Sequence, residues 1–300
     1  MPGCAAGEGG TLARPIALPS LPEGIALRVL GGLEIDTGLL GFGGLSGLHL
    51  APDLTLTAVS DLARFAVMRL ALDGALRPMG LALLRRGQLR DGAGAPLTRG
   101  YAGDAEALAR LPDGTWLVAF ERWHRIRAYR DLDGPGRYVE APAGLDRAPA
   151  NGGLESLAVL PDGRWLAIAE QLPFGGDDAL TTAWIGGPGA WRRRAYRPAP
   201  SMWPVDAAAL PDGGVLVLER SFSLFGGFGG RLVRLPAAAL DGGSVLAGEE
   251  LLRLDPPLPS DNYEGLAVLR HEGRTLVAMV SDNNENRLQR TLLLLFELLR

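Results

Sequence analysis

The sequence has no lysine, one cysteine and three histidines, so all 30 of its basic residues are arginines. The absence of lysine excludes a lysine Schiff base, a lysine general base and the lysine of a P-loop. The single cysteine, Cys4, excludes an intramolecular disulfide and a cysteine-based zinc site. So few nitrogen and sulfur ligands also argue against a site for a soft metal ion.

Other familiar signals of function are missing as well. The net charge is only −4, and no strongly basic stretch suggests a nucleic-acid partner. No apolar run is long enough for a transmembrane helix. The sequence contains no G-x-S-x-G nucleophile elbow, no P-loop, no complete G-x-G-x-x-G and no H-E-x-x-H. These absences exclude the common serine hydrolase, nucleotide-binding and zinc protease designs.

The amino-terminal segment is rich in glycine, proline and alanine, and we expect residues 1–22 to form a flexible tail before a single domain, 23–300. No signal-peptide apolar segment is present. Gly3-Cys4-Ala5 nevertheless resembles a bacterial lipoprotein cleavage site without its upstream signal. We expect an exported or periplasmic protein, with Cys4 as either a lipid anchor or an incidental residue of the tail. A cytoplasmic protein is the alternative.

One phrase recurs along the chain: an acidic residue, a short apolar run, a Pro-Asp-Gly turn, a second apolar run and a second acid. The clearest copies are 104–122, 154–171 and 205–221, and looser copies are 45–61 and 263–282. The turn prolines Pro52, Pro112, Pro161 and Pro211 are 60, 49 and 50 residues apart. Pro-Asp-Gly favours a tight turn, and each apolar run has the length of a strand.

A repeat of about fifty residues that carries four short strands is typical of a β-propeller blade. The chain is therefore predicted to be all-β, with four short antiparallel strands in each blade. Five copies are clear, and pairing of 27–35 with 291–298 is expected to complete a sixth blade and close the ring. An open β-sandwich is the competing architecture, but it does not explain the repeat.

The acids occupy equivalent places in successive copies. The first set comprises Glu106, Glu155, Asp206 and Glu264, with Ser46 in the first copy, and the second set comprises Asp61, Glu121, Glu170, Glu219 and Asp282. A hairpin brings both sets to the same end of a blade, near the axis. Crowded carboxylates favour a bound cation, and calcium prefers such oxygen ligands. The alternative is that these acids cap strand ends and pair with arginines.

Amides and arginines lie close to these acids in the sequence. Asn283 follows Asp282 in the polar stretch 281–290, which starts like an EF-hand loop but lacks its glycine and terminal glutamate. Arg122 and Arg287 are placed to hold an anionic substrate group. We therefore predict metal ligands and catalytic residues among two sets: the metal set is Glu106, Glu155, Asp206, Glu264, Asp282 and Asn283, and the catalytic set is Glu155, Glu264, Arg122 and Arg287.

The stretches GLSGLHLAPD, GDAEALARLPDG, NGGLESLAVLPDG, NYEGLAV and SDNNENRLQRTLLLLFEL resemble the phytase-like family, described as "esterase-like activity of phytase", over residues 40–298. The resemblance implies a β-propeller of six blades in bacterial proteins that are often exported. It also implies hydrolysis of phosphate or other esters with calcium, and Glu106, Glu155, Asp206, Glu264 and Asp282 as axial acids. Propeller phytases bind phosphate partly through lysines, which this chain lacks.

Two classes of function fit these features. The first is a calcium-dependent hydrolase of phosphate or carboxylic esters, with a lactonase-like propeller as a variant, acting on a small anionic or ester substrate. The second is a non-catalytic exported propeller that binds a ligand or partner and holds a structural metal. We expect a monomer in both cases.

Overall fold

The computed structural model describes residues 10–223, 225–286 and 289–299. Cys4 and Arg287 therefore lie outside the described residues. Within the described part of the chain, the strands form five separate sheets. None of the helices described there is long and apolar enough to cross a membrane.

The first half of the chain supplies two leading strands and two complete blades. The elements that precede the blades are β1 (Ala13–Ile16), β2 (Leu27–Ile35) and the helical turn α1 (Thr37–Leu40). Blade 1 consists of β3 (Leu45–Leu50), β4 (Thr55–Ser60), β5 (Arg64–Leu72) and β6 (Pro78–Gln88). Blade 2 consists of β7 (Ala105–Arg110), β8 (Trp116–Phe120), β9 (Arg125–Tyr129) and β10 (Arg137–Val139).

The second half supplies the remaining three blades. A single 3₁₀ turn, Leu145–Arg147, leads to blade 3, which consists of β11 (Leu154–Val159), β12 (Trp165–Phe174), β13 (Asp177–Gly186) and β14 (Arg192–Tyr196). Blade 4 consists of β15 (Trp203–Ala209), β16 (Val215–Ser223), β17 (Gly227–Leu235) and the outer strand β19 (Glu249–Arg253), and α2 (Ala237–Asp241) and β18 (Val245–Leu246) lie between β17 and β19 in the chain. The short β18 pairs in parallel with β14 and so extends blade 3. Blade 5 begins with β20 (Tyr263–His271), β21 (Arg274–Ser281) and β22 (Thr291–Leu298).

The turns form as their sequence dictates. In the second copy, the Asp113 carboxylate accepts a hydrogen bond of 2.9 Å from the backbone N–H of Thr115. Gly114 takes the left-handed conformation, with φ of 88°, that a side chain would oppose. Asp162 and Asp212 accept the equivalent bonds in the third and fourth copies. Each Pro-Asp-Gly turn therefore joins the two innermost strands of a blade.

The prediction of a β-propeller is confirmed, but the prediction of six blades is wrong, because the described residues form five. The predicted pairing of 27–35 with 291–298 occurs, as β2 pairs antiparallel with β22. These two strands do not build a sixth blade. The fifth copy supplies only β20, β21 and β22, so β2 and then β1 complete its sheet. Blades 3 and 5 also have five strands each rather than four.

The innermost strands β3, β7, β11, β15 and β20 pack side by side around the axis. Small residues permit their close approach. A Cβ atom on Gly47 would lie 2.3 Å from the backbone nitrogen of Leu108, and one on Gly265 would lie 2.2 Å from the carbonyl oxygen of Ser46. The hydrophobic core then fills the spaces between adjacent blades, since one cluster of buried residues includes Leu216 and Leu218 of blade 4 together with Val277 and Met279 of blade 5.

The strand β1 lies inside the segment 1–22 that the sequence analysis assigns to a tail. Ala13 to Ile16 pair antiparallel with Gly32 to Ile35, and Leu12 is 5% exposed. Gly32 permits this pairing, because a Cβ atom there would meet the Ile16 side chain at 2.9 Å. The edge of blade 5 is thus a strand from the amino-terminal segment.

Candidate metal centre

Each blade presents two positions at the same mouth of the channel. One lies six residues before the turn proline, at the start of the innermost strand. The other lies nine residues after that proline, just past the end of the second strand in blades 1, 2 and 5 and within it in blades 3 and 4. The first set of positions holds Ser46, Glu106, Glu155, Val205 and Glu264, and the second holds Asp61, Glu121, Glu170, Arg220 and Asp282, with the fifth blade aligned by its strand pairing.

A β-bulge marks the first of these positions in every blade. The pairing register shifts between Ala105 and Ala107, between Leu154 and Ser156, and between Tyr263 and Gly265. Equivalent shifts occur in blades 1 and 4. A bulge leaves one residue unpaired and can re-aim its side chain, which is why bulges are frequent beside functional sites. The bulged residues of blades 2, 3 and 5 are the glutamates Glu106, Glu155 and Glu264.

The carboxylates gather most densely where blades 2 and 3 meet. Asp104, Glu106 and Glu121 place one carboxylate oxygen each within 4.8 Å of one another, and Glu121, Glu155 and Glu170 do the same. Glu121 belongs to both groups and so joins them. Glu106 and Glu155 accept no hydrogen bond from any residue that the structure describes, although Glu155 is only 8% exposed. We call these five residues the acidic cluster.

The backbone fixes the acidic cluster from one side. Glu121 Oε1 accepts hydrogen bonds from the backbone N–H groups of Gly152, at 2.7 Å, and Gly153, at 2.5 Å. These glycines directly precede the innermost strand of blade 3, so Glu121 links blade 2 to blade 3. His124 packs against Gly153, where a Cβ atom would lie 2.2 Å from its Nδ1. The site therefore has a rigid wall around Glu121.

Negative charge is strongly unfavourable in the acidic cluster, because its carboxyl groups are buried and close together. Burial, followed by the neighbouring carboxylates, raises the pKa of both Glu106 and Glu155 well above the ordinary value. Burial is also the largest cause that raises the pKa of Glu121 to about 7, against the two glycine N–H bonds. Burial and Asp104 raise the pKa of Asp61 to about 6. A multivalent cation would remove this repulsion.

Arg220 neutralises the opposite side of the mouth. Its Nη2 donates to Glu170 Oε1 at 3.1 Å, while Nη1 donates to Asn262 Oδ1 at 2.8 Å and to Glu264. Burial alone would lower the pKa of Arg220, but Glu264, Glu155 and Glu170 together raise it. Burial still raises the pKa of Glu264 in spite of Arg220 and the Asn262 amide. Arg220 thus pairs with one acid of blade 3 and one of blade 5, whereas Glu106, Glu121 and Glu155 have no arginine partner among the described residues.

Arg220 occupies a mouth position because the two acids of blade 4 lie one residue closer to the turn than the acids of blades 2 and 3 do. Val205 and Arg220 occupy the two mouth positions, and Asp206 and Glu219 each fall one residue nearer the turn. A shift of one residue in a strand turns a side chain to the other face. Glu219 is consequently buried in the blade, where it binds Arg231 and accepts a 2.5 Å hydrogen bond from the Tyr196 hydroxyl.

The structure does not bring Asp206 together with the acidic cluster. Its carboxylate accepts hydrogen bonds from the backbone N–H groups of Leu266, at 2.7 Å, and Ala207, at 2.8 Å, and also from that of Leu48. Burial raises the pKa of Asp206, and these three bonds oppose that rise. Since Leu48 and Leu266 lie on the innermost strands of blades 1 and 5, Asp206 ties three blades together across the axis.

The remaining predicted residues border the mouth. Asp282 is 5% exposed, and burial followed by Glu264 raises its pKa to about 8. Asn283 Oδ1 accepts the backbone N–H of Gly44 at 3.3 Å and so joins blade 5 to blade 1. Arg122 donates to Asp104 and keeps 44% of its side chain exposed. Sequence reasoning missed Asp104 as a cluster member, although it opens the second copy of the repeat.

A cavity of about 530 Å³ opens beside Glu170. Its walls come from the β12–β13 hairpin and from residues 197–203, which lead into the start of β15. The second wall is anchored because the backbone N–H of Ala199 donates to the buried Glu219 at 3.1 Å. The cavity gives a small molecule room next to the acidic cluster.

Residues 40–285 match the family described as "Phytase-like: Esterase-like activity of phytase". No curated protein sequence matches the chain.

Among solved structures, an endo-arabinase from Bacteroides thetaiotaomicron is 13% identical, with a TM-score of 0.50 over 83% of this chain and 93% of that one. An aldose sugar dehydrogenase from Streptomyces coelicolor in its PQQ-bound form is 16% identical, with a TM-score of 0.49 over 94% of this chain and 99% of that one. At such low identity these similarities concern the fold alone.

Proposed function

Because this chain belongs to the Phytase-like family, we propose that it is a calcium-dependent hydrolase of phosphate or carboxylic esters with its reaction centre at the acidic cluster. One observation supports this most: Glu106 and Glu155 are carboxylates without a hydrogen-bond donor among the described residues, and each belongs to a group of three acids within 4.8 Å. A structural acid normally finds a donor when it is buried. These two are better explained as ligands.

The donor set fits calcium rather than a softer ion. Asp104, Glu106, Glu121, Glu155 and Glu170 offer only carboxylate oxygens, which is the chemistry that calcium and other hard cations prefer. A bound calcium ion would polarise a phosphoryl or carbonyl oxygen and lower the pKa of a bound water. Asp206 is not part of this proposed ligand set, because backbone N–H groups already occupy its carboxylate.

The protein's own residues have separate tasks in this proposal. Glu121 and the two glycine N–H groups position the cluster. Arg220 binds Glu264 and one oxygen of Glu170, so these oxygens are not free to bind the ion. Glu155, which has no other partner described, is placed to bind the ion or to accept a proton from the attacking water. Arg122 has a half-exposed guanidinium beside Asp104 and is available to hold an anionic substrate group. The cavity beside Glu170 would receive the ester.

The test is to measure the metal content and Tm of the purified protein with EGTA and with added calcium, together with turnover of phosphate esters, carboxylic esters and lactones. We expect bound calcium, a higher Tm with calcium, and turnover that EGTA abolishes and Glu155→Gln removes without unfolding. Glu34→Gln, at an exposed pair with Arg14, is the matched control.

The possible failures of this test differ in meaning. Calcium binding without any turnover would overturn the hydrolase and favour a binding protein with a structural ion. Turnover of lactones alone would favour the lactonase-like variant. The absence of any metal would overturn the proposed ligand set and return these acids to structural roles.

A further inference from the structure

Three exposed aromatic rings form a continuous patch on blade 2. Tyr101 and Trp123 are stacked with ring centroids 6.0 Å apart and an interplanar angle of 11°, and Tyr138 follows at 5.9 Å from Trp123. Their exposed fractions are 68%, 41% and 57%. We call these three residues the aromatic platform. Such a set of large exposed rings is unusual on a surface unless something binds there.

Two buried arginines lie beneath the aromatic platform. The Arg125 guanidinium lies 4.7 Å from the Trp123 ring centroid, and that of Arg127 lies 4.2 Å from the Tyr138 centroid. Both residues are only 3% exposed. Their described hydrogen bonds go to backbone carbonyls of Trp123, Ala102 and Gly136.

These guanidinium groups have no counter-ion among the described residues. Neither takes part in an ion pair there, and the Nε atom of each is buried without a hydrogen-bond partner. Burial, followed by the charge of Arg127, lowers the pKa of Arg125 to about 10. Two buried positive charges that repel each other are costly, and an anionic group bound close to them would offset that cost.

The aromatic platform is continuous with the acidic cluster along the chain. Tyr101 comes three residues before Asp104, and Trp123 comes two residues after Glu121. Arg122, between Glu121 and Trp123, bonds to Asp104. A molecule lying on the platform would therefore extend from the mouth of the channel toward the outer edge of blade 2.

We propose that the aromatic platform binds the ring of an anionic ring compound, such as a sugar acid or an aromatic acid, by stacking on Trp123 and Tyr138 above the charges of Arg125 and Arg127. The inference rests on the proposed function in one respect, since it assigns this ring to the substrate ester whose scissile group lies at the acidic cluster. The chemistry of the site is a flat apolar face combined with positive charge, which matches a ring that carries a carboxylate or phosphate.

The experiment measures binding and not turnover. Glucuronate and benzoate are titrated against the full chain, each beside its neutral analogue, glucose or benzyl alcohol, and binding is followed by calorimetry in EGTA and again in calcium. We expect one of the two anions to bind at least about tenfold more tightly than its neutral analogue. Whether this is glucuronate or benzoate identifies the ring as a sugar or an aromatic.

Variants test the assignment to the aromatic platform. Trp123→Ala and Tyr138→Ala change exposed side chains and should each weaken binding by about tenfold, the usual effect of losing one stacking partner. Phe222→Ala is the matched control, because Phe222 is also 54% exposed but lies on blade 4. Arg127→Met, which keeps the apolar stem, should weaken binding of the anion and leave the neutral analogue unchanged.

Several results would overturn the inference. These are equal affinity for anion and neutral analogue, no binding by any of the four compounds, or the same loss in Phe222→Ala as in Trp123→Ala. If Arg127→Met does not fold, the two aromatic variants still decide. Binding to the aromatic platform is also measured in EGTA, so it can be demonstrated even if the protein binds no calcium. Conversely, calcium-dependent turnover can be demonstrated even if the aromatic platform binds none of these compounds.

Discussion

At the scale of single residues, the most consequential position is the one that Arg220 occupies. Blades 1, 2, 3 and 5 place Asp61, Glu121, Glu170 and Asp282 there, and blade 4 places an arginine. This one cation binds Glu170 and Glu264, whereas Glu106, Glu121 and Glu155 have no arginine partner among the described residues. The asymmetry of the mouth therefore results from a single residue in a ring of equivalent positions.

The shared position of Glu121 leads to a first prediction. Glu121→Gln keeps an oxygen for the amides of Gly152 and Gly153 and removes the charge that belongs to both groups of acids. Calcium affinity should fall by about tenfold or more, because the charge of the ligand set governs affinity. Titration calorimetry measures this, with Glu34→Gln as the control. An unchanged affinity would exclude Glu121 from the ligand set.

Asp206 leads to a second prediction, of the opposite kind. Asp206→Asn replaces one carboxylate oxygen with an NH2 group, which cannot accept a hydrogen bond from the backbone N–H groups that Asp206 binds. The free energy of unfolding should therefore fall by about 1–3 kcal/mol. Calcium affinity should not change. Urea denaturation and calorimetry on the same sample separate the two effects. Lost calcium binding in a protein of undiminished stability would contradict the structural role.

The sequence does show that Asp206 is spaced differently from Glu106 and Glu155, but the structural consequence of that spacing depends on strand register. Asp206 falls five residues before its turn proline where Glu106 and Glu155 fall six before theirs. Only the pairing of β15 with β16 shows that Val205 takes the mouth position and that Asp206 faces the neighbouring blades. Local spacing predicted most of the acids at the mouth, but it could not predict which acids would find backbone donors, since those donors come from distant blades.

At the scale of elements, the strand order of blade 5 explains why the number of blades was mispredicted. The repeat predicts five hairpins correctly, and it also predicts that 27–35 and 291–298 pair. Whether that pair stands alone or completes an existing sheet depends on contacts between strands that are far apart in the sequence. In the folded chain, β22 pairs with β21 on one side and with β2 on the other. Short-range patterns contain no information about this choice.

One carboxylate holds this blade together across three strands, and it gives a third prediction. Glu297 on β22 binds Arg28 on β2 and Arg274 on β21. The hydrogen bond from Arg274 is the largest cause that lowers the pKa of Glu297 to about 2. Glu297→Gln should lower the free energy of unfolding at neutral pH by about 1 kcal/mol, since the arginines are partly exposed and screened by solvent.

The pH dependence of that difference follows from the sign of the shift. A depressed pKa stabilises the fold fully above the unfolded value, about 4.3, and this contribution is lost as pH falls toward the folded value. Wild type and Glu297→Gln should therefore differ by a constant amount above about pH 5 and converge at lower pH. Urea titrations at several pH values measure this. A difference that persists at the lowest pH would mean that packing, and not charge, is responsible.

At the scale of the whole molecule, the buried carboxylates at the mouth should make the stability of the fold depend on pH, and this gives a fourth prediction. Glu121 and Asp282 have pKa values raised to about 7 and about 8 in the absence of a cation. A raised carboxyl pKa favours the fold at low pH, and the stability falls as pH rises from the unfolded value through the folded one. With EGTA present, Tm should therefore decrease as pH increases from about 5 to about 8.

Calcium should reverse this trend, because it binds the ionised carboxylates and stabilises the folded state more as pH rises. Differential scanning calorimetry across the same pH range, with and without calcium, measures both effects. A Tm that does not depend on pH in EGTA would mean that the carboxylates do not repel one another, and the case for a cation at the acidic cluster would then fail.

The closing blade also has a consequence for synthesis on the ribosome. Strand β2, with its buried Leu30 and Leu33, is translated long before β22, which lies beside it in the sheet. Until β22 emerges, the nascent chain carries apolar strands with unpaired edges at both sides of the gap, and such edges can pair with other chains. Ring closure must therefore wait until β22 has been translated, and a cell that makes this protein must protect the open ring until then.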